Sequence, residues 1–568
     1  MFRKLFLSQI LFIFFVQINF SQTTETNKKS EISPELRKEA VALLRETSLE
    51  VSSLRTLENR ISFSSELANL MWFSDEKEAR AMFQTVINDF RQLLAGYDAQ
   101  LNSLGVSPEM ADIFSTDTSA KTQIARKFFK AIGVRQQIAK AISEHDPELA
   151  LDFFTDTVTA VSNPTFRKQI ENSDVYFETR LLNEIADKNI DTALKYGRKT
   201  LTKNFNYELI NLLKKIYEKD DEKGAGFAEE VVSKLKSDSS KPDGFYYLSR
   251  VLDLGIENLD AIKGKSDKRP MFSEQSLRDL AELLAQELLK REDADGSEIS
   301  SYLSDIERVL PARAAQIRQK FDIRNKKVNV NPNGIRPPMP EPPPPPMPKP
   351  PSVSVKIAED NKKKLAEGLQ NLGAKKLSED ERKKIIEESR KIIAETADRD
   401  QKLIALSGLA LQVAKLGDKE LASELMKDAQ NLVNLQPKNY REYMEIWILA
   451  SGYAQVDAEK AFPILENTIF RLNDTISAFV KVGEFIDVAG DMIDDGEIQV
   501  GSFGGTMTRE MLGSLGASDL TVRNLAVADF TKTKSLTNKF ERQEARILAK
   551  MLILRAVLAD KSEAKADF

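Results

Sequence analysis

The sequence predicts an all-α fold, with helical hairpins stacked as α-solenoid arms in two domains joined by a proline-rich linker. Three observations carry this reading. A pattern of helix, tight acidic turn and second helix keeps returning, no sustained alternation of apolar and polar residues marks strands, and eleven of the 21 prolines lie between Pro337 and Pro351. At 568 residues the chain is too long for one core and suits several domains. Its 41% hydrophobic and 30% charged residues belong to a globular protein rather than a membrane bundle or a disordered chain.

The first residues are a different material. Arg3 and Lys4 precede the run "LFLSQILFIFFVQINF", Leu5 to Phe20, and the chain then turns polar in "SQTTETNKKSE". That order matches a secretory signal over residues 1–21 better than a spanning helix. Cleavage is expected between Ser21 and Gln22, although Asn19 is not the small residue the pattern favours; retention as an N-terminal anchor is the alternative. Without cysteine, no lipidation site follows the run, and stability rests on core burial with no disulfide framework. The formal charge of −5 excludes any global electrostatic pull toward nucleic acid. The expected location is periplasmic or secreted, with no stable membrane insertion after cleavage.

Residues 22–330 are expected to form the first helical-repeat domain. Ser33-Pro34-Glu35, Ser107-Pro108-Glu109 and Asp146-Pro147-Glu148 place cap, proline and acid in the order a helix start favours. The hairpin pattern sets Ala four residues after Asp or Asn: Asp75 and Ala79, Asp146 and Ala150, Asn189 and Ala193, Asp221 and Ala225. Asp418 with Ala422 and Asp457 with Ala461 continue it in the second domain, residues 355–568, where Ser378 and Glu381 have capping-box spacing. The side chain at the turn accepts hydrogen bonds from the first-turn N–H groups, and a negative charge suits that end of the helix. The small Ala lets the paired helix approach. Eight residues before each marker stand Leu67, Ile138, Leu181, Leu213, Ala410 and Leu449; three after each Ala stand Met82, Phe153, Tyr196, Ala228, Leu425 and Ile464. These positions are expected to form the hairpin seams.

In these hairpins the chain resembles the tetratricopeptide class of α-solenoids in degenerate form. The nearest stretch is "DKNIDTALKYGRKTL", with Ala193 in the place of that family's small residue opening the second helix. Marker spacings of 71, 43 and 32 residues, then 39, depart from the family's strict period. The resemblance implies a binding scaffold as a class-level analogy. Between the two domains, residues 331–354 are expected to be a linker, because dense proline removes backbone donors and fixes φ near the polyproline value. About 15 residues at roughly 3.1 Å each span about 45 Å. A docking motif for a polyproline-binding partner is the other reading.

Residues that could carry chemistry are few. The single histidine, His145, sits at a turn in "SEHDPE"; with no cysteine, zinc sites of the usual kind and Cys/His pairs are excluded. No catalytic or cofactor-binding residue is expected, no cofactor, and no metal beyond one weak candidate. That candidate is the segment "GDMIDDGEIQVGSFGGTMTRE", where Asp491, Asp494, Asp495 and Glu497 crowd before Gly501, Gly504 and Gly505. It could be an insertion loop, a ligand-contacting loop or an oxygen-rich cation site, but its spacing fails the calcium-loop and phosphate-loop patterns. Basic clusters at Lys195, Arg198 and Lys199, at Asn361 to Lys364 and at Glu381 to Lys384 have acids nearby and read as solvated helix surface. The expected function is an exported non-catalytic scaffold binding protein or peptide partners through its repeat surfaces. The alternative is an all-helical carbohydrate-active or cell-wall enzyme using paired carboxylates, for which Trp72 and Trp447, both in apolar helical contexts, make poor sugar platforms.

Overall fold

The computed structural model describes residues 32–105, 119–203, 205–238, 244–263, 268–291, 296–321, 353–372, 377–485, 492–503 and 519–559. They are overwhelmingly α-helical. The expected signal and most of the linker lie outside them, as do Ser107-Pro108-Glu109, Asp491, Gly504 and Gly505.

By internal packing the chain divides into Gln84–Pro343 and a second unit made of Met1–Phe83 together with Pro344–Phe568. This differs from the division expected at the proline run. The reason is that the apolar faces of residues 34–72 share a core with the C-terminal helices as well as with Ala79 and Met82 just after them.

The Gln84–Pro343 unit contains five successive helical hairpins: α4 (Ala120–Ser143) with α5 (Pro147–Thr159), α6 (Pro164–Lys188) with α7 (Ile190–Lys203), α8 (Tyr207–Lys219) with α9 (Asp221–Asp238), α10 (Gly244–Ile262) with α11 (Glu274–Lys290), and α12 (Gly296–Val309) with α13 (Pro311–Lys320). First helices stack on first helices in α4 with α6, α6 with α8 and α10 with α12, and second on second from α7 through α13. Polar contacts between neighbouring hairpins keep a register: Lys215 Nζ donates to Asn183 O 32 residues away, Arg198 Nε to Glu230 at the same offset, and Lys223 meets Asp191 at 2.7 Å. One hairpin earlier the offset is 44 residues, in Thr192 to Glu148 and Tyr196 to Asp152. Unequal helices, 25 residues in α6 against 13 in α8, therefore hide a regular stack. That is solenoid packing, in which each hairpin contacts its neighbours.

The expected cap forms at four of the six markers. Asp75, Asp146, Asn189 and Asp418 accept first-turn N–H groups at 2.9–3.1 Å. Asp457 pairs instead with Lys460 at 3.3 Å. Ala79, Ala150, Ala193, Ala422 and Ala461 have no exposed surface, and the seam residues Leu67, Leu181, Leu213, Ala410 and Leu449 are buried. One marker is off by a residue. The cap of α9 is Asp220, whose Oδ1 accepts from Lys223 N at 3.0 Å, while Asp221 accepts from Arg269 N at 3.1 Å. The small residue four after the true cap is then Gly224, where an added Cβ would lie 2.4 Å from Tyr217 Cα.

In the other unit, α14 (Val353–Leu372) pairs with α15 (Glu379–Glu395), α16 (Arg399–Lys415) with α17 (Lys419–Asn431), and α18 (Tyr440–Val456) with α19 (Ala458–Phe485). Ser378 and Glu381 form the expected capping box. The chain continues through α20 (Asp519–Ala528) and α21 (Phe530–Thr537) to α22 (Gln543–Leu558). The partner of α22 comes from the other end of the sequence: α1 (Pro34–Val51), followed by α2 (Leu57–Trp72). One core holds Leu43, Leu44 and Met71 with Ile547, Met551 and Leu554. Helix α3 (Glu76–Ser103) follows α2.

Candidate functional site

The segment that breaks the helical rhythm contains a small β-hairpin. Its strands, β1 (Ile493–Asp494) and β2 (Glu497–Ile498), pair antiparallel with Ile493 opposite Ile498. The two turn residues, Asp495 and Gly496, have φ of 47° and 70°. Positive φ at both positions gives the two-residue turn whose twist matches the strands, and Asp-Gly is a favoured sequence for it.

The described acids of the segment lie in different surroundings. Asp495 is exposed, Asp491 lies outside the described residues, and Glu497 is buried. The Glu497 carboxylate accepts from Arg55 N at 2.7 Å, Thr56 N at 3.1 Å, Thr56 Oγ1 at 2.8 Å and Asn59 Nδ2 at 3.3 Å. Thr56, the residue before α2, makes no side-chain cap of its own. Glu497 supplies a carboxylate to that helix start from 441 residues away. Asn59 completes the junction by donating to Ile498 O at 3.0 Å and accepting from Val500 N at 3.0 Å. Among the described residues no group of three or more His, Asp or Glu side chains could hold a metal ion.

The other candidates are scattered. His145 is half-buried, and burial together with the nearby Lys188 ammonium holds its imidazole below the ordinary value. Arg198 is paired with Glu230, and the Lys195 and Lys199 ammonium groups lie 5.1 and 4.8 Å from the Tyr196 ring centre. Burial, followed by the charges of Asp152 and Glu148, pushes the Tyr196 hydroxyl up to about 12. Trp72 and Trp447 are partly buried, Trp72 beneath the Arg80 guanidinium at 4.9 Å and Trp447 against the core of the C-terminal hairpins.

Two groupings carry no signal in sequence spacing. The first is interior: Arg135, wholly buried, donates to Phe154 O at 2.7 Å and Thr157 Oγ1 at 3.2 Å, pairs with Asp174 and stacks on Phe154 at 4.2 Å. Burial pushes the Asp174 carboxyl up and the guanidinium down. The guanidinium remains a cation because its ordinary value is so high. This pair ties α4, α5 and α6 together and is enclosed, so it reads as structure.

The second grouping is at the surface, on the first helices of two successive hairpins. Tyr207 at the start of α8 and Tyr246 at the start of α10 are 38% and 49% exposed. Between them Phe205 meets Tyr247 edge-on at 5.1 Å, Tyr246 meets Tyr247 at 5.4 Å, and Arg250 lies 6.0 Å from the Tyr207 ring centre. Tyr176, on α6 of the preceding hairpin, is 55% exposed. The sequence shows these aromatics only as helix-start residues, since nothing in their spacing says which side is solvated.

No family model matches the chain, and no curated protein matches it. A solved structure described as a circular tandem repeat protein with novel repeat topology and enhanced subunit contact surfaces is similar over 92% of this chain and 97% of its own, at 12% identity and a TM-score of 0.15. A likeness that slight carries no argument. The helical-repeat reading stands on the hairpins themselves.

Proposed function

We propose that this protein is a non-catalytic scaffold that binds a protein or peptide partner through its helical-repeat surface. The observation that carries the reading is the aromatic group of Phe205, Tyr207, Tyr246 and Tyr247 with Arg250. Tyr, with its large ring and few rotatable bonds, and Arg are the residues most enriched where proteins bind one another. A hairpin stack holds such side chains on rigid helices, so little conformational freedom is lost on binding. Kinship with tetratricopeptide-type repeats belongs to the same proposal. It is supported by the small residue four after the cap and by the 32-residue register between α6 and α8.

We further propose that the chain is exported and that its first 21 residues are the removable signal, supported by the order of Arg3, Lys4, the apolar run and the polar stretch after it. No described helix is long and apolar enough to cross a membrane. In-cell crosslinking in the native host tests the binding reading. A partner captured by the wild-type chain should be lost by the Tyr207→Ser, Tyr246→Ser double variant at equal expression. Undiminished capture by that variant overturns the assignment of this face.

A further inference from the structure

We propose that the N-terminal helix pair is a strap that closes the C-terminal array, seated by the buried carboxylate of Glu497. Without α1, the α22 residues Ile547, Met551 and Leu554 would keep only part of their cover, the share that Val522 and Ala526 of α20 bring to the same core. Helix α22 packs on α20 and α21 of the array, and the helix it meets most extensively is α1, from the opposite end of the chain. A hairpin is thus built from two helices that no turn connects.

Polar contacts latch the strap at three places. At the β-turn, Glu497 holds Arg55 N, Thr56 N and Thr56 Oγ1. Along α22, Lys550 is wholly buried and donates to Glu50 Oε1 at 2.6 Å and Glu46 Oε1 at 3.2 Å. Further along, Arg555 Nη2 donates to Glu66 Oε2 at 2.7 Å. Gln543 adds a donor to Glu50 O at 2.9 Å. Close fit accompanies the charges: Gly501 has φ of +69°, and a Cβ there would lie 2.8 Å from Ser62 Cβ.

These contacts make release all-or-none. A buried ammonium and a buried carboxylate both lose their partners if the strap lifts, so half-open states leave unpaired charge in an apolar setting. The strap should therefore open as one cooperative unit, with α1 and α22 exposed together.

Hydrogen exchange on the full-length chain tests this, with Glu497→Gln as the mild variant and Glu497→Ala as the severe one. Truncating a buried acceptor that holds several donors should speed opening by on the order of tenfold or more. Exchange in residues 34–51 and 543–558 should rise by the same factor, more in the Ala than in the Gln variant, while residues 399–415 keep wild-type protection. Glu66→Arg should produce the same paired loss, and adding Arg555→Glu should restore protection. If residues 543–558 keep wild-type protection while 34–51 lose theirs, if the two stretches change by different factors, or if the charge swap gives no rescue, the strap is not a closing unit.

Discussion

Gly224 offers the sharpest test of the hairpin geometry, because one substitution has opposite expected effects two residues apart. At Gly224 an added Cβ would sit 2.4 Å from Tyr217 Cα, 2.5 Å from its Cβ and 2.8 Å from its N. Carbon atoms in contact settle at about 3.5–4.0 Å, so α8 and α9 must separate by on the order of 1 Å. Backbone cannot rotate out of the way as a side-chain tip could. Overpacking of this kind costs about 1–3 kcal/mol. Relief of glycine's conformational freedom in a helix returns roughly 0.5–1 kcal/mol. Gly224→Ala should therefore destabilise the Gln84–Pro343 unit by about 1–2 kcal/mol. Gly226, in the same helix, has nothing within 4 Å of an added Cβ, so Gly226→Ala should stabilise by about 0.5–1 kcal/mol. Thermal unfolding by circular dichroism reads the difference as several degrees, at roughly 2–4 °C per kcal/mol for a unit this size. Equal melting temperatures for the two variants would refute the close approach at cap-plus-four.

Further outcomes follow from the same geometry. Arg135→Met should cost about 3–5 kcal/mol by leaving Asp174 buried without its cation, and Arg135→Met with Asp174→Leu should recover much of it; urea denaturation of both variants decides, and a double variant no better than the single one would contradict the pair. The hydrogen bond from Lys534, joined against the effect of burial by the hydrogen bond and charge of Lys550, holds the partly exposed Glu46 below its ordinary value. Its contribution is therefore present above the unfolded carboxylate range and is lost as pH falls through the depressed value. Melting temperatures of wild type and Glu46→Gln should differ at pH 7 and converge toward pH 3. A protease site engineered between Pro337 and Pro351 should give two fragments that still co-elute on size exclusion, since α1 and α2 travel with the first and pack on α22 of the second. Intact mass of the exported chain should begin at Gln22, and full-length chain in the membrane fraction would overturn signal cleavage.

What the sequence makes legible is local. A cap, a small residue four positions on and an apolar seam are all within one helical hairpin, and Asp146, Ala150 and Phe153 behave as that pattern requires. The α9 marker shifts because two acids adjoin: Asp220 and Asp221 are chemically alike, and only the backbone path shows which one caps. The Asp495-Gly496 turn carries a hairpin signature, but strands of two residues are too short to show any alternation. The pairing of α1 with α22 is invisible for a different reason. Glu497, Lys550 and Arg555 are ordinary charged residues in sequence, and what makes them special is pairing with partners more than 400 residues away, which buries the first two. The aromatic group at Tyr207 and Tyr246 escapes notice likewise, since exposure depends on how successive hairpins are offset.

Zero-length carboxyl-to-amine crosslinking of the full-length protein, read by mass spectrometry, addresses the repeat register and the joined ends together. Links Asp187–Lys215 and Asp191–Lys223 are expected between neighbouring hairpins, whose atoms lie 2.8 and 2.7 Å apart. Links Glu46–Lys534 and Glu50–Lys550 are expected across the closure, at 2.5 and 2.6 Å. Links from Lys534 and Lys550 confined to acids within residues 353–559, with none to Glu46 or Glu50, would contradict that closure.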